Sequence, residues 1–504
     1  MLQQRRHGWS GILETVRMFP GNFGKAIHII DSNSWKQHIF PLLLLACMLA
    51  LPACGESQLP PEEEEGVLIY ACMNPQDGTI RAYVNSFNNT HEDVQIEVRD
   101  YSGEEGVQRL LVELSAGRVP DIMDLRYFGR GGLDIWRRNT PASEDLPADE
   151  YWMPYRQLIQ KGYLEDLWPF IENDPELGRE AVLLPPLKAA EVNGGLYMLF
   201  QGGLVSTLMG ADRVVGTRYG WTFDELMETF STMPGDSTIL RYNATTQDVF
   251  FKLLRFSLDQ YVNWETGECF FDGEEFCNML AFLKCFPAES ETSEDAIEEV
   301  LWRIQTGRQM LEGIQIALPG ELMYCNSLWK GRTSFVGYPT ADTSSGNLFC
   351  PHGSVLAISS TCRDKEAAWD FVRQLIRKHY NMNNVLRAGY FIPVNLHDYE
   401  VLIRAELQRA DDVRDDFGSS LPAMIPWNHF SDKPDIYPTA PISEEDIQRY
   451  EALIYNTTQL YWPDDALSDV VWDTIGPYLA GDKALDETVQ LLNNRVGLYV
   501  NELR

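Results

Sequence analysis

VLIYACMNPQDGTIRAYVNSFNNTHEDVQIEVRDYSGEEGVQRLLVELSAGRVPDIMDL, residues 67–125, decides the fold. Val67 to Ala71 is a short apolar run of the kind that forms a buried strand. After the turn Asn74-Pro75-Gln76-Asp77-Gly78, Ile80, Tyr83, Val84 and Phe87 recur at helical spacing. Val94, Ile96 and Val98 alternate with polar residues as a second strand. Val107, Leu110, Leu111 and Leu114 then form a helical stripe closed by Gly117, and Pro120 to Leu125 supplies a third strand. The unit is β-α-β-α-β, which implies a parallel sheet flanked by helices, with ligands beyond the carboxyl ends of its strands. That places Met73, Asn74, Gln76 and Asp77 after the first strand, and Arg126 and Tyr127 after the third, as candidate site residues. The plainer reading of each loop is an ordinary surface turn.

Further along, Trp221-Thr222-Phe223-Asp224-Glu225 reads as a capping box, with Thr222 as N-cap and Glu225 three residues on. Lys365 to Arg377 carries Trp369, Val372 and Ile376 on one helical stripe. Leu485, Val489, Leu492, Val496, Tyr499 and Leu503 make a longer stripe at the end of the chain. A polar stretch from Asn139 to Asp149 reads as an inserted surface loop. No period of 20 to 50 residues recurs. At 504 residues the chain is too long for one ordinary core, so two lobes are expected.

Ile39 to Leu51 is apolar, follows Lys36 and is followed by Leu51-Pro52-Ala53-Cys54, the plan of a signal peptide over residues 1–53. These last four residues resemble a bacterial lipobox, in which Cys54 is acylated and becomes the new N-terminus. Residues 54–65, with Pro60-Pro61 and the run Glu62 to Glu65, read as an acidic tether to the membrane. Net charge is −33, and because Met1 to Ala53 carries +3, the remainder stands at −36. Such acidity makes nucleic acid a poor partner and keeps an exported surface soluble. Beyond Cys54 lie seven cysteines, at 72, 269, 277, 285, 325, 350 and 362, an odd number that cannot all pair. With no CxxC and no nearby histidine, buried free thiols are expected.

The histidines after Cys54, at 91, 352, 379, 397 and 429, are scattered, and HExxH is absent. GxxxxGK[ST], GxGxxG and GxSxG are absent too, so no cofactor, metal or catalytic residue is assigned. The 74 acidic residues would allow many carboxylate pairs for glycoside hydrolysis, and sequence chooses none. Aromatic residues in loops are the better clue, since sugar rings stack on Trp or Tyr while their hydroxyls need Asn, Asp, Gln or Arg.

Four stretches carry a resemblance: Ala116 to Ile122; NGGLYMLF with GWTFDELMETF; GYPTADTSSGNLFCPHGSVLAISS with KEAAWDFV; and AGDKALDETVQLLNNRVGLYVNEL. Glu265 to Leu280, ETGECFFDGEEFCNML, adds a fifth. In this order they resemble the family 1 extracellular solute-binding proteins, the capture subunits of carbohydrate importers driven by ATP, from Cys54 to Arg504. The resemblance implies an α/β, two-lobed periplasmic-binding-protein-like fold of type II, each lobe a mainly parallel sheet flanked by helices. Lobe 1 would be 66–200 plus 350–391, and lobe 2 would be 201–349 plus 392–504. Three hinge crossovers would fall near Tyr197 to Val205, Tyr338 to Gly353 and Phe391 to Asn395.

It also implies a non-enzymatic monomer that binds a mono- or oligosaccharide between the lobes and delivers it to the permease of an ABC transporter. Met73, Asn74, Arg126, Tyr127, Gln201, Tyr242, Asn243, Trp329 and His352 would face the cleft, although Trp329 also fits a core position. Two alternatives stay open, an exported glycan-active enzyme and a binder of peptides or other non-sugar solutes on the same scaffold.

Overall fold

Five of the six residues from Val67 to Cys72 are buried, as an unalternating apolar run must be when helices cover both faces of its sheet. They form β1, and Gln95–Asp100 (β2) and Ile122–Asp124 (β3) pair with it in parallel on either side. The helices Gly78–Thr90 and Gly103–Ser115 make the crossovers, so the β-α-β-α-β unit is present as expected. Gly117 ends the second helix at φ +74°, a conformation that favours a residue without Cβ. Asp121 then locks the sheet: its Oδ2 accepts from the Ile69 amide at 2.8 Å and faces Arg363 at 3.4 Å.

The structure is a computed structural model that describes residues 66–503 apart from 77, 128–154, 290–296, 342, 344–345, 378–390, 409–441 and 463. The leader, the tether with Cys54, Asp77, the loop from Asn139 to Asp149, and His379 and His429 lie outside the described residues.

After the hairpin of β4 (Glu191–Val192) and β5 (Gly195–Leu196) comes β6 (Leu199–Ala211), the longest strand described. β7 (Glu312–Ile316) and β8 (Thr333–Phe335) pair antiparallel with the far part of β6. β9 (Leu348–Ile358) runs antiparallel to β6 at one end of its course and to β3 at the other. β10 (Ile392–Pro393) lies antiparallel on the opposite edge of β6, and β11 (Gln459–Leu460) pairs in parallel with β9. The main path of the sheet is therefore β10-β6-β9-β3-β1-β2. The three stretches where the resemblance would place crossovers overlap β6, β9 and β10, which lie side by side in the order β10-β6-β9. Parallel pairing belongs to β1, β2 and β3 and to the β9–β11 pair, while the crossover strands run antiparallel.

Close approach at the crossovers explains two glycines. A Cβ on Gly203 would lie 2.3 Å from the Cys350 carbonyl oxygen, and one on Gly202 would lie 2.4 Å from that of Ile392.

Two large apolar clusters form the core. The first gathers Tyr70, Phe87, Leu110, Leu158, Phe200, Ala357 and Trp369 around β1, β3 and β9. It also takes in Ile304, Ile316, Leu322 and Trp329, and Tyr450, Leu453 and Ile454, which the lobe bounds inferred above assign to lobe 2. The second joins Trp221, Phe223, Phe250, Phe271, Phe276, Leu280, Val471, Val489, Leu492 and Val496. Thr222 and Glu225 complete the expected capping box, with the Glu225 amide 3.2 Å from Thr222 Oγ1. The C-terminal stripe is the helix Leu485–Leu503, and Lys365–Val372 is α-helical before a 3₁₀ turn over Arg373–Ile376.

The cysteines correct one expectation. Cys72, Cys325, Cys350 and Cys362 are buried and none of the seven forms a disulfide, but Cys269 and Cys277 are only half-buried and Cys285 is exposed. The helix Glu274–Leu283 turns Phe276, Met279, Leu280 and Leu283 inward, which leaves its neighbouring thiols toward the surface.

Candidate ligand-binding cavity

A cavity of about 530 Å³ opens where the two apolar clusters meet. Tyr155, Ala189 and Ala190 of the first cluster line it, with Leu258, Leu348 and Leu467 of the second opposite. Its aromatic wall is built outward from a crossover strand. Gln459 and Leu460 extend the sheet beside Leu348 and Phe349, and the Tyr461 amide donates to the Phe349 carbonyl at 2.6 Å. This delivers Trp462 to the cavity, where its ring meets that of Tyr155 edge-on, centroids 6.1 Å apart. Phe256 forms another side, 5.1 Å from the Tyr461 ring and 4.3 Å from that of Tyr338. Arg255 lies over Phe256 at 4.9 Å and donates from Nη2 to Tyr461 Oη at 3.0 Å.

Polar groups surround these rings. Arg156 Nη2 meets Asp259 Oδ2 at 2.6 Å, and its guanidinium also covers the Trp264 ring at 4.7 Å. Asp464 caps the helix Asp465–Leu479 by accepting from the Leu467 amide at 2.9 Å. It also accepts from Tyr499 Oη, 2.8 Å from Oδ1 and 2.7 Å from Oδ2. Burial raises the pKa of Asp464 above the ordinary carboxylate value, against the pull of these hydrogen bonds. Glu191 accepts from Trp168 Nε1 at 2.8 Å. Gln260 accepts the Ala341 amide through Oε1, while its Nε2 is buried with no partner among the described residues. Tyr155 Oη is in the same condition. Each of these two buried polar atoms, which belong to lining residues, costs about 1–3 kcal/mol while unbonded.

The residues singled out from sequence sit elsewhere. Met73 is half-buried against the first cluster, and Asn74 is exposed, its amide 3.4 Å from Cys72 Sγ. Arg126 is buried against Asp124, with Nη2 2.6 Å from Oδ2 and Nε 3.1 Å from both carboxylate oxygens. Tyr70 donates to the same carboxylate at 3.2 Å, so Arg126 serves an internal ion pair at the end of β3. Of Tyr127 only the backbone is described. Gln201 is half-buried in β6, its carbonyl accepting from the Val394 amide at 3.0 Å. Tyr242 lies half-buried under Arg303, 5.4 Å from its ring centroid, next to half-buried Asn243. His352 stands in β9 opposite Gly202 and stacks on Phe391 at 5.9 Å; burial, with the Arg126 charge, lowers its pKa.

Trp329 is fully buried in the first cluster, which makes it a core anchor and removes it as a surface for ring stacking. None of the nine candidates with described side chains, Gln76 included, lines the cavity. Those that do, Trp462, Tyr155 and Phe256 foremost, passed unnoticed in the sequence. For Trp462 a signal existed, since Tyr461-Trp462-Pro463-Asp464 is an aromatic pair in a loop just ahead of a helix cap.

Among solved structures, the sugar-binding protein MalE from Xanthomonas citri matches over 86% of this chain and 98% of its own, at 13% identity and a TM-score of 0.47. A periplasmic oligogalacturonide binding protein from Yersinia enterocolitica matches over 87% and 99%, at 14% identity and a TM-score of 0.49. A family 1 extracellular solute-binding protein from Alicyclobacillus acidocaldarius matches over 86% and 98%, at 12% identity and a TM-score of 0.44. These structural neighbours are solute-binding proteins. No protein-family model and no curated protein matches the chain.

Among the described residues there is no group of three or more His, Cys, Asp or Glu able to hold a metal ion. No helix among them is long and apolar enough to cross a membrane.

Proposed function

We propose that this protein is an exported, lipid-anchored receptor that captures a carbohydrate in the cavity between its two apolar clusters and presents it to the permease of an ABC importer. The observation that carries the reading is the cavity itself. Its volume of about 530 Å³ falls within the roughly 300–1,000 Å³ of small-molecule sites. Trp462 and Phe256, both half-buried, offer faces for sugar rings, and the carboxylates and guanidinium groups of the lining can bond hydroxyls.

Three crossover strands next to such a cavity favour closure as the response, because a ligand touching both walls stabilises the form that brings them together. Arg126, Gln201 and His352, close to those strands, are assigned to the hinge and not to ligand contact. Two of the lining carboxylates are already held, Asp464 by a helix amide and Tyr499, and Asp259 by Arg156. Isothermal titration against neutral and charged mono- and oligosaccharides tests the reading. At least one sugar should bind with micromolar or better affinity, and silence from a folded protein across the whole panel would sink it. Export and anchoring rest on the leader and Cys54, and Cys54→Ala should release the protein from membranes; continued retention would refute the lipid.

A further inference from the structure

We infer that the cavity is selective for uncharged sugars and rejects uronates, and that Asp259 sets this selectivity by occupying Arg156. The inference rests on the carbohydrate reading above. The cavity wall carries four carboxylates, Glu191, Asp259, Asp464 and Asp469, against two guanidinium groups, Arg156 and Arg255. Acidic sugars are ordinarily held by guanidinium groups, whose planar forks match a carboxylate. Both guanidinium groups are already committed here. Arg156 meets Asp259 at 2.6 Å and covers Trp264, and Arg255 lies over Phe256 and donates to Tyr461.

A sugar carboxylate entering this space would face an excess of like charge and would have to compete with Asp259 for Arg156. A neutral sugar meets no such opposition. Its hydroxyls can donate to the carboxylates of the lining. Like charges set against each other at a binding surface act mainly as a filter on partners, which is the role assigned here.

Isothermal titration of the full-length protein compares maltotriose, cellotriose and chitotriose with trigalacturonate, then repeats the series on Asp259→Asn. At least one neutral trisaccharide should bind the wild type, with trigalacturonate at least about tenfold weaker, a difference of about 1.4 kcal/mol. Asp259→Asn should narrow that gap by about tenfold or more, because Arg156 then becomes available. Wild-type protein that prefers trigalacturonate overturns this inference and leaves the carbohydrate reading standing. Binding of no sugar at all overturns the carbohydrate reading. If Asp259→Asn does not fold, raising salt in the wild type replaces it: weakened exclusion of trigalacturonate supports charge as the cause, and an unchanged ratio refutes it.

Discussion

Tyr155 is 5% exposed, and its hydroxyl is sealed from solvent without a partner among the described residues. Tyr155→Phe should therefore act on stability and not on affinity. The protein should gain about 1 kcal/mol in chemical denaturation, because an unsatisfied buried hydroxyl is removed. Sugar affinity should hardly change, because the hydroxyl does not reach the cavity. A loss of stability would contradict the assignment.

A second residue-scale prediction concerns a carboxylate far from the cavity. Glu321 is 4% exposed and accepts from the amides of Ala317 and Leu318 at 2.6 and 3.0 Å, with buried Glu406 holding the adjacent Gly320 amide at 3.0 Å. Burial raises its pKa from the ordinary 4.5 to about 7, so the folded state holds a proton that the unfolded chain gives up. Stability from this group is fully present below 4.5 and is lost as pH rises toward 7, by up to about 3 kcal/mol. Glu321→Gln should flatten this part of the pH–stability curve, and equal slopes in mutant and wild type would refute the assignment. Neither residue was visible in the sequence. Nothing about Tyr155 or Glu321 in one dimension says that a distant segment seals it from water.

Elements were far more legible. The first five could be read from apolar spacing, and the Thr222 cap from its neighbour three positions on, because each depends on contacts within a few residues. The three crossovers were located through resemblance, and the reason they fit lies in the glycines at Gly202 and Gly203. Gly203→Ala should cost about 1–3 kcal/mol, since its Cβ would press on a backbone oxygen that cannot rotate away. Gly313→Ala in β7 is the control, since a Cβ there meets nothing within 4 Å and the melting temperature should hardly change. Equal effects of the two would mean that the crowding between β6 and β9 has no consequence. β11 escaped notice because a two-residue strand has no period to detect, yet it is the element that places Trp462.

At the level of the whole molecule, length led to an expectation of two lobes and the strand ends to an expectation of where to look; Gly66 to Arg504 form one compact unit with two apolar clusters. The site was then sought along β1 and β3, whereas the cavity draws its walls from segments between residues 155 and 469 that meet only after folding. Sequence order carries no record of such meetings. Small-angle scattering should show the radius of gyration shrinking on saturation with the sugar that binds, and identical profiles would exclude closure. The tie between β11 and β9 gives that movement a further meaning. Trp462 follows β11, which is hydrogen-bonded to β9, so the aromatic wall is tied to β9 through backbone hydrogen bonds. Were a sugar to close the cavity, thermodynamic reciprocity would apply: a partner that grips the closed form would tighten the hold on the sugar by the same factor by which the sugar favours that partner. A partner that forces the cavity open would loosen it. Unloading would need no separate device.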